Sequence, residues 1–228
     1  MADDQHRLGR PTPFTGAAMP GPVTLTGRWV RLEPVDPDRH GPELVATVDD
    51  WRYDYLPYGP FDAVGLATQL RTMVADPDTV PFAVCDNGTG RAIGMLSLLR
   101  LRPGDGSVEV GHVLMGSDLA RTTGATEAFS LLAHHVFDDL GMRRYEWKCN
   151  ALNEASWRAA LRLGFVFEGV FRQDRVVKGR NRDTAWFSIV DGEWPRVGSG
   201  YRAWLDPANI GDGPQRRTVE QLRADLAD

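Results

Sequence analysis

The chain has 228 residues, enough for one large domain or one domain with extensions. Apolar residues make up 42% and charged residues 25%, an ordinary soluble balance, and the formal net charge of −5 argues against a general nucleic-acid binder, whose surface must be basic. No apolar run approaches the roughly 18 residues of a membrane span, and no apolar leader core stands near the start, so the default expectation is a cytoplasmic protein without a membrane partner.

Residues 1–21 are rich in Pro, Gly and charge without an apolar period, which predicts a flexible tail. "VTLTGRWVRLEPV" predicts two short strands around Thr26–Gly27. "PDRHGPELVATV" can hold a short helix, and "DDWRYDYLPYGPF" is dense in aromatics and breakers. "DAVGLATQLRTMVAD" has helical spacing through Val64, Leu66, Leu70 and Val74, with Asp62 as N-cap. Strands "VPFAVCD" and "RAIGMLSLLRL" flank the hairpin signal "NGTG", and "SVEVGHVLM" follows.

A long helix is predicted from Thr123 to Leu140, stopped by Gly141. "RRYEWKCN" is a strand, and "EASWRAALRL" a helix capped by Asn153 and ended by Gly164. "FVFEGVFR" and "TAWFSIV" are strands joined through "QDRVVKGRNRD". The order predicts a mixed α/β sheet, antiparallel in its first half, with a right-handed crossover near 108–150 that makes those two strands parallel. Cys85 and Cys149 lie in strand-like runs and suit core positions. No CxxC or HxxxH pattern is present, and His134 and His135 point to different helix faces, so no metal site is expected.

The stretch "DLARTTGATEAF", residues 118–129, falls between a strand and the long helix. A helix start presents free N–H groups and the positive end of the dipole, which suits an anion. Gly124 would allow close approach, the threonines offer hydroxyls and Arg121 a charge; threonine caps on a plain helix start explain the same residues.

The segment from "VEVGHVLM" to "EGVFRQ" resembles the core of the GNAT acyltransferase superfamily, most closely its RimL-like branch of ribosomal-protein N-acetyltransferase-like proteins. The matching residues are Glu109 and Gly111, the loop Arg121 to Thr126, Glu127–Ala128, Asn153, Ser156, Gly164–Phe165 and Glu168–Gly169. The resemblance implies a mostly antiparallel central sheet with a splayed parallel pair and flanking helices, over residues 22–195. It implies acetyl-CoA or another acyl-CoA as donor, no metal, and direct attack by an amine. The loop Arg121, Thr122, Thr123, Gly124, Ala125 and Thr126 would hold the pyrophosphate, although two registers of the motif, one residue apart, both fit. The backbone of His112, Val113, Leu114 and Met115 would bond the pantetheine and polarise the thioester carbonyl.

Glu109 is the first candidate base, a carboxylate in an apolar strand. His112 has the right ordinary pKa but lies on the opposite face unless a bulge intervenes. Asp174 stands near a family base position, with Arg175 in the matching register. Ser156 is the candidate acid toward the sulfur, and Asn153 a partner of the cofactor arm; helix capping explains either equally. Trp51, Tyr53, Tyr55 and Tyr58, with nearby carboxylates, would suit a cationic amine, a protein N-terminus or a small molecule, whereas the basic hairpin near 175–182 suits an acidic group; the acceptor therefore stays open. The alternatives are a non-catalytic acyl-CoA sensor and a protein-interaction domain. Residues 196–228 exceed the family core, and exposed Trp194, Tyr201 and Trp204 would form a patch that packs on the core or on a second subunit as a homodimer.

Overall fold

In the computed structural model, residues 9, 11–211 and 215–226 are described. Eight strands form one sheet: β1 (Leu25–Thr26), β2 (Val30–Pro34), β3 (Thr79–Asp86), β4 (Ala92–Arg102), β5 (Ser107–Met115), β6 (Arg144–Asn150), β7 (Val166–Val177) and β8 (Arg180–Val190). Their order is β1-β2-β3-β4-β5-β6-β8-β7. Only β5 and β6 run parallel, joined by the expected helical crossover; every other pairing is antiparallel.

Alternation along β3 explains how the sheet is covered on both faces. Val80, Phe82 and Val84 join the larger core, under α3 (Thr123–His134), α4 (Glu154–Arg162) and α5 (Trp194–Leu205). Ala83 and Cys85 join a smaller core under α1 (Pro37–Val45) and α2 (Ala63–Ala75). Asp62 caps α2 as expected, accepting from the Gly65 N–H at 2.7 Å. The expected apolar face of α2 is corrected: Leu66, Ala67, Leu70 and Met73 are buried, while Val64, on the far side of the helix, and Val74, in its last turn, are exposed.

The long helix is α from Thr123 to His134 and then widens to a π turn over His135–Asp139 before Gly141 ends it at φ +69°. The link read between the last two strands is itself strand. Lys178 and Gly179 both take positive φ, the geometry of a tight two-residue hairpin, so β7 and β8 run on to its tip.

Of the expected tail, residues 1–8 and 10 lie outside the described residues. Further on, the chain is tied down: Ala17 N–H donates to Pro103 O at 2.9 Å, Ala18 N–H to Leu140 O at 2.8 Å, and Phe14 lies under the Arg143 guanidinium. At the other end, of the two ways to cover the C-terminal aromatics, the chain uses its own core. Trp194, Tyr201 and Trp204 are buried in the chain's own core, Trp194 stacked on Phe137 at 4.8 Å and the Tyr201 hydroxyl donating to Leu163 O at 2.5 Å. A short helix, α6 (Val219–Ala224), packs against α5 through Arg223 beside Gly200.

Candidate active site

The parallel pairing of β5 with β6 runs only from Ser107/Arg144 to Val110/Trp147. Beyond it the strands part, and the β5 edge that faced β6 has no neighbouring strand among the described residues. A cavity of about 890 Å³ runs through this gap, with a helix-lined half and a strand-lined half.

The helix-lined half begins at the start of α3. Arg121 sits in the left-handed region at φ +66°, and Thr122 caps the helix, its hydroxyl oxygen 3.3 Å from the Ala125 N–H. The Thr122 hydroxyl in turn donates to Leu119 O, so the cap is fixed from both sides. Arg121, Thr122, Thr123, Ala125 and Thr126 line the cavity, and the Thr126 hydroxyl accepts from Arg162 at 3.0 Å. Gly124 does not line it. A Cβ there would stand 2.9 Å from Val30 Cγ1, so this glycine serves the packing of α3 on β2 and not a ligand's approach. Its neighbour Glu127 is buried and accepts the N–H groups of Arg28, Trp29 and Val30 at 2.7, 2.7 and 2.9 Å. The most family-like carboxylate of the loop is therefore a clasp for the turn between β1 and β2.

Farther along, Ser156 N–H donates to Asn153 Oδ1 at 3.1 Å, which makes Asn153 the cap of α4 and leaves its amide NH₂ for another partner. The Ser156 hydroxyl oxygen accepts from Trp147 Nε1 at 3.0 Å, so its own hydrogen can point into the cavity. Trp204 and Gln215, which sequence reasoning did not place here, close the same end, with Arg162 over the Trp204 ring.

The strand-lined half is built by irregular register. β5 is bulged against β4 between Gly111 and Leu114, with His112 at φ +48°. The bulge turns His112 to the same cavity as Glu109, resolving the alternation that had separated them. It also sends Leu114 into the smaller core, so of the expected 112–115 backbone segment only His112, Val113 and Met115 line the cavity. Burial pulls the His112 imidazole down to about 4, and its Nδ1 has no partner among the described residues.

Glu109 is buried and is not free. Its Oε2 is shared by Arg100 and by Lys148 Nζ, the latter at 2.9 Å. Lys148 also reaches Glu146 at 2.7 Å and lies 3.7 Å above the Trp186 ring. Burial pulls the Lys148 ammonium down to about 8, against the pull of Glu146. Arg144 continues the chain of charges from Glu146 to Glu168, and Glu168 accepts the Ser188 hydroxyl at 2.7 Å. Sequence reasoning passed over Lys148. Its signal was a charged residue inside the alternating run Tyr145, Trp147, Cys149, two residues on from Glu146, the carboxylate that lies opposite Glu109 in the parallel register.

A second bulge, between Phe171 and Arg175 of β7, brings Asp174 and Arg175 to the cavity together. Asp174 accepts the Thr184 hydroxyl at 2.7 Å. Of the four expected aromatics, Trp51 and Tyr55 line the mouth, while Tyr53 and Tyr58 do not: they pack with Phe61 behind the wall, and Tyr58 meets the His112 ring edge-on at 5.6 Å. That loop roofs the cavity. The Tyr55 hydroxyl donates to Leu152 O at 3.2 Å, and Lys178 Nζ at the hairpin tip donates to Tyr53 O at 2.9 Å.

The family model described as an acetyltransferase (GNAT) domain matches residues 30–166, more than half of the chain and all of the parted strand pair. The chain belongs to the GNAT acetyltransferase family. This is a family of acyl-CoA-dependent N-acetyltransferases, and its mixed sheet with one parallel pair is the fold described above. A GCN5-related N-acetyltransferase from Brucella melitensis is 42% identical, with a TM-score of 0.89 over 93% of this chain and 99% of that one. The ribosomal-protein-serine acetyltransferase of Escherichia coli is 29% identical over 102 residues, 44% of this chain; the match spans only 56% of that relative's length. A solved RimL structure, a ribosomal L7/L12 alpha-N-protein acetyltransferase, shares 18% identity and the fold, with a TM-score of 0.65 over 74% of this chain and 94% of that one. Among the described residues no helix is long and apolar enough to cross a membrane. One cluster with metal-ligand chemistry, Glu33, His40 and Cys85, lies in the smaller core away from the cavity, and its carboxylate is already held by Arg31 and Arg39.

Proposed function

We propose that this enzyme binds acetyl-CoA in the helix-lined half of the cavity and moves its acetyl group to a primary amine in the strand-lined half, the amine being that of a small molecule or a protein N-terminus. The observation that carries this reading is the parting of β5 from β6 after Val110 and Trp147, with a cavity running through it from the start of α3 to the charged strand wall. The donor supplies an activated acetyl thioester.

The chain's own residues supply the rest. The first-turn N–H groups of α3, with Arg121, hold the pyrophosphate. The free edge of β5 near Val113 offers backbone donors to the pantetheine arm and to the carbonyl oxygen as its charge develops. Asn153 offers its amide to the arm, and Ser156 its hydroxyl hydrogen to the sulfur. Glu109, with Lys148 beside it, holds the proton that the ammonium gives up. His112, drawn to about 4, is neutral at pH 7 and offers its unpartnered Nδ1 as a hydrogen-bond acceptor.

Calorimetric titration with acetyl-CoA tests this. Ala125→Glu places an anion in the cavity wall without touching the Gly124–Val30 contact. We expect wild type to bind and the variant to lose binding with an unchanged melting temperature. Failure of the wild type to bind acetyl-CoA would remove the reading. Binding without turnover of any amine would favour a sensor.

A further inference from the structure

Arg175 and Arg182 stand directly opposite each other in the β7–β8 register, and both line the cavity. Like charges in that relation are destabilising unless something between them compensates. Arg175 has only Asp174, with Nε at 3.6 Å, and that carboxylate is also held by Thr184. Arg182 makes no ion pair among the described residues, and its Nε is buried without an acceptor. Four residues on along the same face of β8, Trp186 Nε1 is likewise buried without one. Strands β4 to β8 thus contribute four cations to the cavity, Arg100, Lys148, Arg175 and Arg182, against two carboxylates, Glu109 and Asp174. Arg52 and Asp54 of the roof add one of each sign and leave the imbalance unchanged. Lys148 and Arg100 are taken by Glu109, so the unspent positive charge is at the arginine pair.

We infer that the strand-lined half binds a carboxylate through Arg182 and Arg175. The group would belong either to the amine acceptor or to the far end of the acyl chain. This rests on the acyltransfer reading above and extends it to substrate class. A guanidinium matches a carboxylate in shape, and the one cation of the roof, Arg52, already lies 3.6 Å from Asp49 and over the Trp51 ring, which leaves the arginine pair of this wall for the anion.

Two binding series, read by calorimetry, test it. In the first, acetyl-CoA is compared with succinyl-CoA. In the second, the CoA complex is titrated with ω-acetamido acids of increasing chain length and with their primary amides. Each series is run on wild type, Arg182→Gln and Arg182→Lys. In one series we expect the carboxylate-bearing member to bind roughly ten- to a hundredfold more tightly, the worth of a charge-assisted bond. Arg182→Gln should abolish that preference, Arg182→Lys should keep part of it, and acetyl-CoA affinity should stay level across all three. A preference in the first series places the carboxylate on the acyl chain, and one in the second places it on the acceptor. No preference in either series, or one that survives Arg182→Gln, overturns the inference while leaving acetyl-CoA binding intact. Loss of acetyl-CoA binding by wild type is the separate result that overturns the acyltransfer reading beneath it.

Discussion

The two halves of the cavity are made by different means. The helix-lined half uses backbone groups at the start of α3 and the cap of α4, each within a few residues of its own sequence signal. The strand-lined half uses side chains from five strands, aimed by bulges in β5 and β7. Backbone donors at a helix start tolerate changes of side chain, so a half built from them binds a common group such as a phosphate. Paired charges in a bulged wall tolerate little, and a half built from them can discriminate between substrates.

The sharpest break of this comparison lies in the helix-lined half. Glu127 is one of the residues that carry the family resemblance, yet its three hydrogen bonds are to the N–H groups of Arg28, Trp29 and Val30. Glu127→Ala leaves three N–H groups without their acceptor, and we expect a loss of about 3–4 kcal/mol in urea unfolding. A variant of normal stability that lost acetyl-CoA binding would place Glu127 in the site instead. Gly124 teaches the same lesson, since its missing Cβ makes room for Val30. The sequence made the location of this half legible, because caps and helix starts are local. It could not divide the loop's residues between ligand and core, because that depends on β2, nearly a hundred residues earlier.

For the strand-lined half the next largest effect is that of Glu109. We expect Glu109→Gln to lower kcat/KM about 100-fold with acetyl-CoA affinity unchanged, in the range of a lost proton acceptor. A drop of less than about threefold would move the role to Asp174. Glu109 was legible as a carboxylate in an apolar strand, whereas its partners were not. Arg100 reaches it from β4 at φ +51°, and Lys148 from β6 across a parallel register that no local pattern encodes.

His112 gives a pH test of the bulge that put it beside Glu109. Its folded pKa, about 4, lies below its ordinary 6.5, so between those values the unfolded chain binds more protons. Stability should therefore fall as pH drops from about 6.5 to 4, by on the order of 2 kcal/mol, and His112→Asn should flatten that part of the profile. Lys148 works in another window. With its folded value near 8 and its ordinary value 10.5, it should add stability as pH rises through that interval. Urea titrations across both ranges separate the two groups, and an unchanged acid limb in His112→Asn would place His112 in water.

The smallest effect is expected where the two halves meet. Ser156 belongs to a helix cap by its N–H and to the cavity by its hydroxyl, which already accepts from Trp147. An oxygen that accepts from an indole still has one hydrogen to give, either to the neighbouring Cys149 sulfur or into the cavity that both residues line. Ser156→Ala removes that hydrogen and also orphans Trp147 Nε1, so a fall in stability or rate alone decides nothing. Comparing CoA with desulfo-CoA does decide it. If the hydroxyl donates to sulfur, Ser156→Ala should weaken CoA about fivefold and leave desulfo-CoA unchanged, the worth of one neutral hydrogen bond. Equal weakening of both would make Ser156 a support for Trp147 and would leave the junction of the two halves to backbone groups alone.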